Sequence, residues 1–255
     1  MNALLKKELR SFFLSPMAYV VMGIFFSITG YIFVVLNINY GNLCLHALGN
    51  PISPDMMNLG ELVVRPIYDN MIFLFMILIP VLTMRSFSEE KKLGTIELLY
   101  SYPLTDWQIV GGKFLGVLLP VLLMAGLTLI YPIQIFMLAP QGGLEWGMIF
   151  SCYLGLFLLL LSFVSLGLWA SSLTDNLTVS YLLTFGSLLF FWIIGWMGKL
   201  AAFPFLKSLA SLSLTRHAAN FYKGVIDTGD IGFFLLFSAF FLFLTYVSLE
   251  SRKYY

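Results

Sequence analysis

The chain has 255 residues, of which 60% are apolar and only 11% charged, with a formal net charge of +1. Soluble domains average roughly 25% charged and 45–50% apolar residues, so the composition argues against a soluble domain, and the near-zero charge argues against electrostatic capture of nucleic acid. The apolar excess is gathered into long uncharged runs, each able to hold the roughly 20 residues that cross ~30 Å of hydrocarbon.

Residues 2–14 come first. Leu5, Leu9, Phe12 and Phe13 recur at i, i+4, i+7 and i+8, while Lys6, Lys7 and Arg10 take the other side. That pattern predicts an amphipathic helix lying in the inner membrane interface; a solvated positive flank that only sets orientation is the plainer alternative. Ser15-Pro16 then turns the chain into a first span near 17–36, within a run that carries no charge between Arg10 and Asp55. The run follows cations as a signal peptide would, but it extends through Val35 and lacks a small-x-small cleavage site at the expected distance, so it reads as a retained span. An outer loop over 37–66, longer than a minimal turn, precedes a second span near 67–84.

The segment Arg85–Lys113, RSFSEEKKLGTIELLYSYPLTDWQIVGGK, is the most informative. Ser86-x-x-Glu89 has the form of a capping box, in which side chain and backbone satisfy each other's free amides. Charges crowd 89–92, and Leu93, Ile96 and Tyr100 then share one helical face. Pro103 stops that helix, and Thr105-x-x-Gln108 forms a second capping box opening the third span. A charged, capped cytoplasmic helix with an apolar edge suits docking by a cytosolic partner; a solvated loop helix fits the same composition.

Further spans are predicted near 111–138, 147–171, 177–197 and 231–250. The outer stretch 199–230 mixes Pro204, Gly224 and polar residues without holding a full span. Tyr40, Tyr68, Trp146, Trp192, Trp196, Tyr254 and Tyr255 lie near span ends, as an interfacial aromatic belt does. Pro80, Pro120 and Pro132 are tolerated where neighbours satisfy the freed carbonyls. With both termini inside, Lys6, Lys7, Arg10, Arg85, Lys91, Lys92, Lys113, Arg252 and Lys253 are inner, against Arg65, Lys199, Lys207, Arg216 and Lys223 outside. Nine inner cations against five outer ones favour a cytoplasmic N-terminus. The fold class expected is an all-α integral membrane protein, one membrane domain over 1–255 with no attached soluble domain and no internal repeat.

Here the motifs reach a known family. Glu-Glu-Lys-Lys-Leu-Gly-Thr-Ile-Glu-Leu-Leu, then Tyr-Pro-Leu-Thr, then Gly-Lys resembles the signature of the ABC-2 class of ABC transporter permeases, matched at Glu90, Gly94, Thr95, Glu97, Leu98, Leu99, Pro103 and Lys113. The opening LLKKELRSFFLSPMAY, the Ser171-Ser172-Leu173-Thr174 turn and FYKGVIDTGDIGFF agree. The last of these and the closing LESRKYY are most similar to the gliding-motility-associated branch. The resemblance implies a bacterial inner-membrane permease that pairs with a second copy or a sister permease and sits on two P-loop ATPase subunits; it also allows a membrane-anchored accessory protein. It implies a coupling helix over 86–102 that docks on the ATPase through Glu89, Glu90, Lys91, Gly94, Thr95, Glu97, Leu98, Leu99 and Pro103. Ser172, Thr174 and Asp175 would form a smaller contact. Leu5, Lys6, Lys7, Leu9, Arg10 and Phe12 would belong to the interfacial helix, against membrane lipids, and 199–230 would form outer re-entrant helices.

Absences sharpen the expectation. There is no G-x-x-x-x-G-K-[ST] phosphate loop: Gly112-Lys113 is followed by Phe114, and Trp107 stands where the first glycine would be. ATP and Mg²⁺ are therefore expected in the partner, with no cofactor on this chain and no catalytic or metal site. By the predicted boundaries no ionisable residue sits deep inside a span, which argues against an ion-coupled carrier. His46 and His217 read as ordinary histidines, and Asp227 and Asp230 as caps of span six. Cys44 and Cys152 have no metal spacing; both fall toward the outer side, where a bridge between them is allowed but unlinked thiols are preferred. Two other classes fit the residues: a membrane anchoring or assembly subunit of an ATPase-linked complex, and an ATP-independent channel or transporter.

Overall fold

The computed structural model describes residues 2–47, 59–95, 105–138, 146–200 and 211–251, and every regular element among them is helical. In chain order these are α1 (Asn2–Leu14), α2 (Pro16–Ala47), a π-helical turn (Gly60–Val64) running into α3 (Arg65–Lys92), α4 (Asp106–Leu127), α5 (Ile130–Leu138), α6 (Trp146–Leu173), α7 (Leu177–Leu200), α8 (Leu214–Phe221) and α9 (Thr228–Ser251). Among the described residues, six helical stretches are long and apolar enough to cross a membrane: Pro16–His46, Gly60–Lys92, Asp106–Met137, Trp146–Leu173, Leu177–Gly195 and Thr228–Ser251. They follow the six predicted spans in order.

The boundaries differ where local chemistry lets a helix run on. Residues 37–47, expected in a loop, continue α2; they contain no proline, and Asn37 satisfies its side chain inside the helix by donating to the Phe33 carbonyl at 2.7 Å. Pro66 has no amide to donate and crowds the turn before it, and the chain there widens to π register, with the Arg65 amide on the Gly60 carbonyl. The predicted third span begins earlier, at Asp106, and breaks at Thr128–Leu129 between α4 and α5. Pro132 explains the break, since it cannot bond the Thr128 carbonyl. The Thr128 hydroxyl donates to the Ala125 carbonyl at 2.6 Å and meets the Tyr153 hydroxyl at 3.0 Å.

Packing centres on α6, which touches α3, α4, α7, α8 and α9. In its most apolar stretch 72% of residues are buried, against 17% in that of α2, so α6 is the core and α2 the periphery. Small residues permit this. A methyl at Gly155 would meet Phe221 at 2.6 Å, Gly167 lies against Thr83, and the Ser162 and Ser238 hydroxyls join α6 to α9 at 3.2 Å. Without a hydrophobic force between helices in lipid, such close approach and interhelical hydrogen bonding hold a bundle together. The ends of α3, α6 and α9 and the starts of α2, α4 and α7 gather beside α1; α8 lies at the opposite end.

Candidate functional site

The α1 end carries the densest polar chemistry. Helix α1 is seated on α4 at Gly112 and Gly116, one turn apart: a Cβ at Gly112 would fall 2.7 Å from Leu4 Cδ2, and one at Gly116 would fall 2.6 Å from Glu8 Cβ. Leu4 is buried, and Leu5, Leu9 and Phe12 are only half-buried; Lys6, Lys7 and Arg10 are exposed. The face in closest contact with α4 is thus Leu4 and Glu8, shifted from the predicted apolar stripe. The Gly112-x-x-x-Gly116 spacing is the signal that could have located it.

Lys113 lies between those glycines' neighbours with 1% of its side chain exposed, inside the long apolar stretch Asp106–Met137. Its ammonium lies 2.8 Å from Glu90 Oε2 and 3.3 Å from Glu8 Oε1, and donates to the Ser86 carbonyl at 2.6 Å. The Phe87 ring lies 5.1 Å from it, and Lys7 approaches Glu90 Oε1 at 3.6 Å. Lys113 stands in the second turn of α4, near its start and not deep in the span, and its enclosure is a feature the sequence did not signal. A buried ammonium is tolerated when carboxylates and a carbonyl replace its water, and here α1 supplies Glu8 while α3 supplies both Glu90 and the Ser86 carbonyl.

Helix α3 does not restart at Ser86, as the capping pattern suggested; it continues unbroken to Lys92. A Ser-x-x-Glu pattern caps only where a helix begins, and here Phe87 and Ser88 are fully buried against α6. The Ser171 hydroxyl accepts from the Phe87 and Ser88 amides, each at 3.1 Å, and donates to the Met84 carbonyl at 3.2 Å. The Ser88 hydroxyl in turn donates to the Ser171 carbonyl at 3.1 Å. Next to it, the Ser172 carbonyl accepts from Lys91 and, at 3.0 Å, from Ser248 on α9.

The helix ends at Gly94, whose φ of +69° is left-handed, with the Thr95 amide on the Glu90 carbonyl at 3.0 Å and the Gly94 amide on that of Lys91 at 3.1 Å. This is a Schellman terminus, so α3 itself stops at Gly94. Glu89 is half-buried and Thr95 exposed. Glu97, Leu98, Leu99 and Pro103 lie outside the described residues. The second capping box is present: Thr105 is extended, and its amide donates to Gln108 Oε1 at 3.3 Å. Of the predicted smaller contact, Ser172 is fully buried, whereas Thr174 is half-buried and Asp175 exposed on the α6–α7 turn. Asn176 caps α7, accepting from the Thr178 amide at 2.9 Å.

At the far end His217 is not isolated. Its Nδ1 lies 2.5 Å from Asp230 Oδ1, its Nε2 lies 2.8 Å from the Ser211 carbonyl, and its ring stacks on Phe233 at 3.9 Å. Asn220 donates to the other Asp230 oxygen at 2.7 Å. Asp230 therefore ties α8 to α9, and Asp227 alone serves as the cap, accepting from the Gly229 amide at 2.9 Å. Burial, with the Asp69 carboxylate nearby, holds the neighbouring Tyr222 phenol well above its usual range. Cys44 and Cys152 are both free thiols.

A family model described as ABC-2 family transporter protein matches residues 3–250. No curated protein matches the chain.

Proposed function

This chain belongs to the ABC-2 family of transporter proteins, and from that membership we propose that it is a permease subunit driven by ATP hydrolysis in a separate subunit. The observation that supports this most is the join at the α1 end. There the last turns of α3 are bonded to α1 and α4 through Glu90 and Lys113, and to α6 through Ser171, Ser172 and Lys91. A push on the chain just beyond Lys92 would reach several helices at once instead of bending one. That is the property needed to turn closure of an ATPase pair into a change of access in the membrane.

In this reading the docking surface is the segment 89–103, with Glu89, Gly94, Thr95, Glu97, Leu98, Leu99 and Pro103, joined by Thr174 and Asp175. Glu90, Lys91 and Ser172 face inward and transmit the movement. Two ATPase subunits hold ATP and Mg²⁺, and a second copy or a sister permease completes the pathway, with a membrane-anchored accessory protein as a further partner. Cargo leaves across the bacterial inner membrane, with both termini cytoplasmic. A place in the gliding-motility-associated branch rests on FYKGVIDTGDIGFF and LESRKYY alone.

The test is purification of the tagged chain from its native membrane in mild detergent. A P-loop ATPase should be recovered with it, and Glu97→Lys should abolish coupled hydrolysis while leaving membrane insertion intact. Unchanged coupling would remove the docking assignment. A chain that purifies without any nucleotide-hydrolysing partner would favour a channel or an anchoring subunit.

A further inference from the structure

Between α1, the start of α2, the end of α3 and α4 lies a half-open cavity of about 750 Å³, at the level where the apolar helices give way to charged residues. Its charged lining divides into two groups. Lys7, Glu8, Glu90 and Lys113 are paired with one another, two cations with two anions. The side chains of Arg85 and Glu89 also line it, yet neither makes a hydrogen bond or ion pair among the described residues. They stand one turn apart on the same face of α3, the spacing at which such residues often bridge, and they leave each other free. Past them the wall turns apolar, with Phe12, Met17, Leu82 and Val117.

One free cation and one free anion at the mouth of an apolar, ligand-sized cavity define the occupant. A simple anion would leave Glu89 uncompensated, and a simple cation would leave Arg85 so. A neutral molecule with separated charges satisfies both, and an apolar tail would replace water along the inner wall. Arg85 suits a phosphate through its planar fork, and Glu89 suits a group that donates hydrogen bonds. We infer that this cavity is a site for a phosphatidylethanolamine lipid from the leaflet on the α1 side, its phosphate on Arg85, its primary ammonium on Glu89 and its acyl chains against Leu82 and Phe12. The quaternary ammonium of phosphatidylcholine carries no hydrogen to donate and fits less well. Glu89 and Thr95 belong to the proposed docking surface as well as to this cavity, but lipid retention by the chain alone is read without any ATPase.

Native mass spectrometry of the full chain tests the site, using micelles doped with equal fractions of phosphatidylethanolamine, phosphatidylcholine and phosphatidylglycerol. Phosphatidylethanolamine should be retained preferentially, and Arg85→Ala or Glu89→Ala should each cut retention about tenfold, the effect of losing one charge-assisted contact. The swap Arg85→Glu with Glu89→Arg should restore most of it. Leu82→Trp, which fills the cavity and leaves the charges alone, should abolish it, and Arg65→Ala at the far end should not alter it. Equal retention of the three lipids, or retention indifferent to Leu82→Trp and to the alanine variants, would overturn the assignment. So would equally tight binding of glycerophosphoethanolamine, which has the headgroup without the chains. Should an alanine variant fail to fold, the swap and Leu82→Trp decide the matter.

Discussion

Lys113 shows how much one residue's meaning depends on its surroundings. Along the sequence it is the last cation before an uncharged run, and it counts among the inner charges that orient the chain. In the fold it is enclosed by Glu8, Glu90 and the Ser86 carbonyl. Removing one partner of a buried ion pair typically costs roughly 3–5 kcal/mol, because the other charge is left without solvent or counter-ion. Lys113→Ala is therefore expected to lower the SDS fraction at which helicity is lost in mixed micelles, with a loss of unfolding free energy within that range. Replacing Lys113, Glu90 and Glu8 together by methionine should cost far less, since no stranded charge remains. A triple variant as unstable as Lys113→Ala would mean that packing, not charge, sets the loss. Asp230 carries the same lesson: its position near a helix start suggests a cap, but His217 and Asn220 claim both its oxygens.

Among the elements, α1 is an amphipathic helix by sequence, and such a helix can lie on a membrane without touching its own protein. Its actual seat is the pair Gly112 and Gly116, where any side chain would collide with Leu4 or Glu8. Gly116→Leu should lift α1 from α4 and separate Glu8 from Lys113. A cysteine at Phe12, half-buried in the wild type, should then react several-fold faster with a membrane-impermeant maleimide; an unchanged rate would show α1 anchored elsewhere. Helix α3 was legible as a span but not in its length. Ser86 carries a start signal and Gly94 is a residue acceptable in either a kink or a terminus. Only the burial of Phe87 and Ser88 against α6, and the left-handed backbone at Gly94, show that the helix passes the first and stops at the second.

For the whole molecule, six crossings place the α6–α7 turn and the start of α9 on opposite sides. Single cysteines at Asp175 and Asp227, both exposed, should be labelled by an impermeant reagent from opposite faces of oriented vesicles. Labelling from one face would require an even number of crossings between them.

Sequence alone determined the membrane character, the number and order of the crossings, the helical class and the family motif. Each of these is a local property: the length of an apolar run answers to the thickness of hydrocarbon, and a motif is a string of neighbours. The tertiary structure decided which residues face inward. Glu8 and Lys113 stand 105 positions apart, and Ser88 and Ser171 stand 83 apart. No periodicity within one helix records such partners, because the surface that satisfies a buried polar group belongs to another helix and exists only once the two have packed.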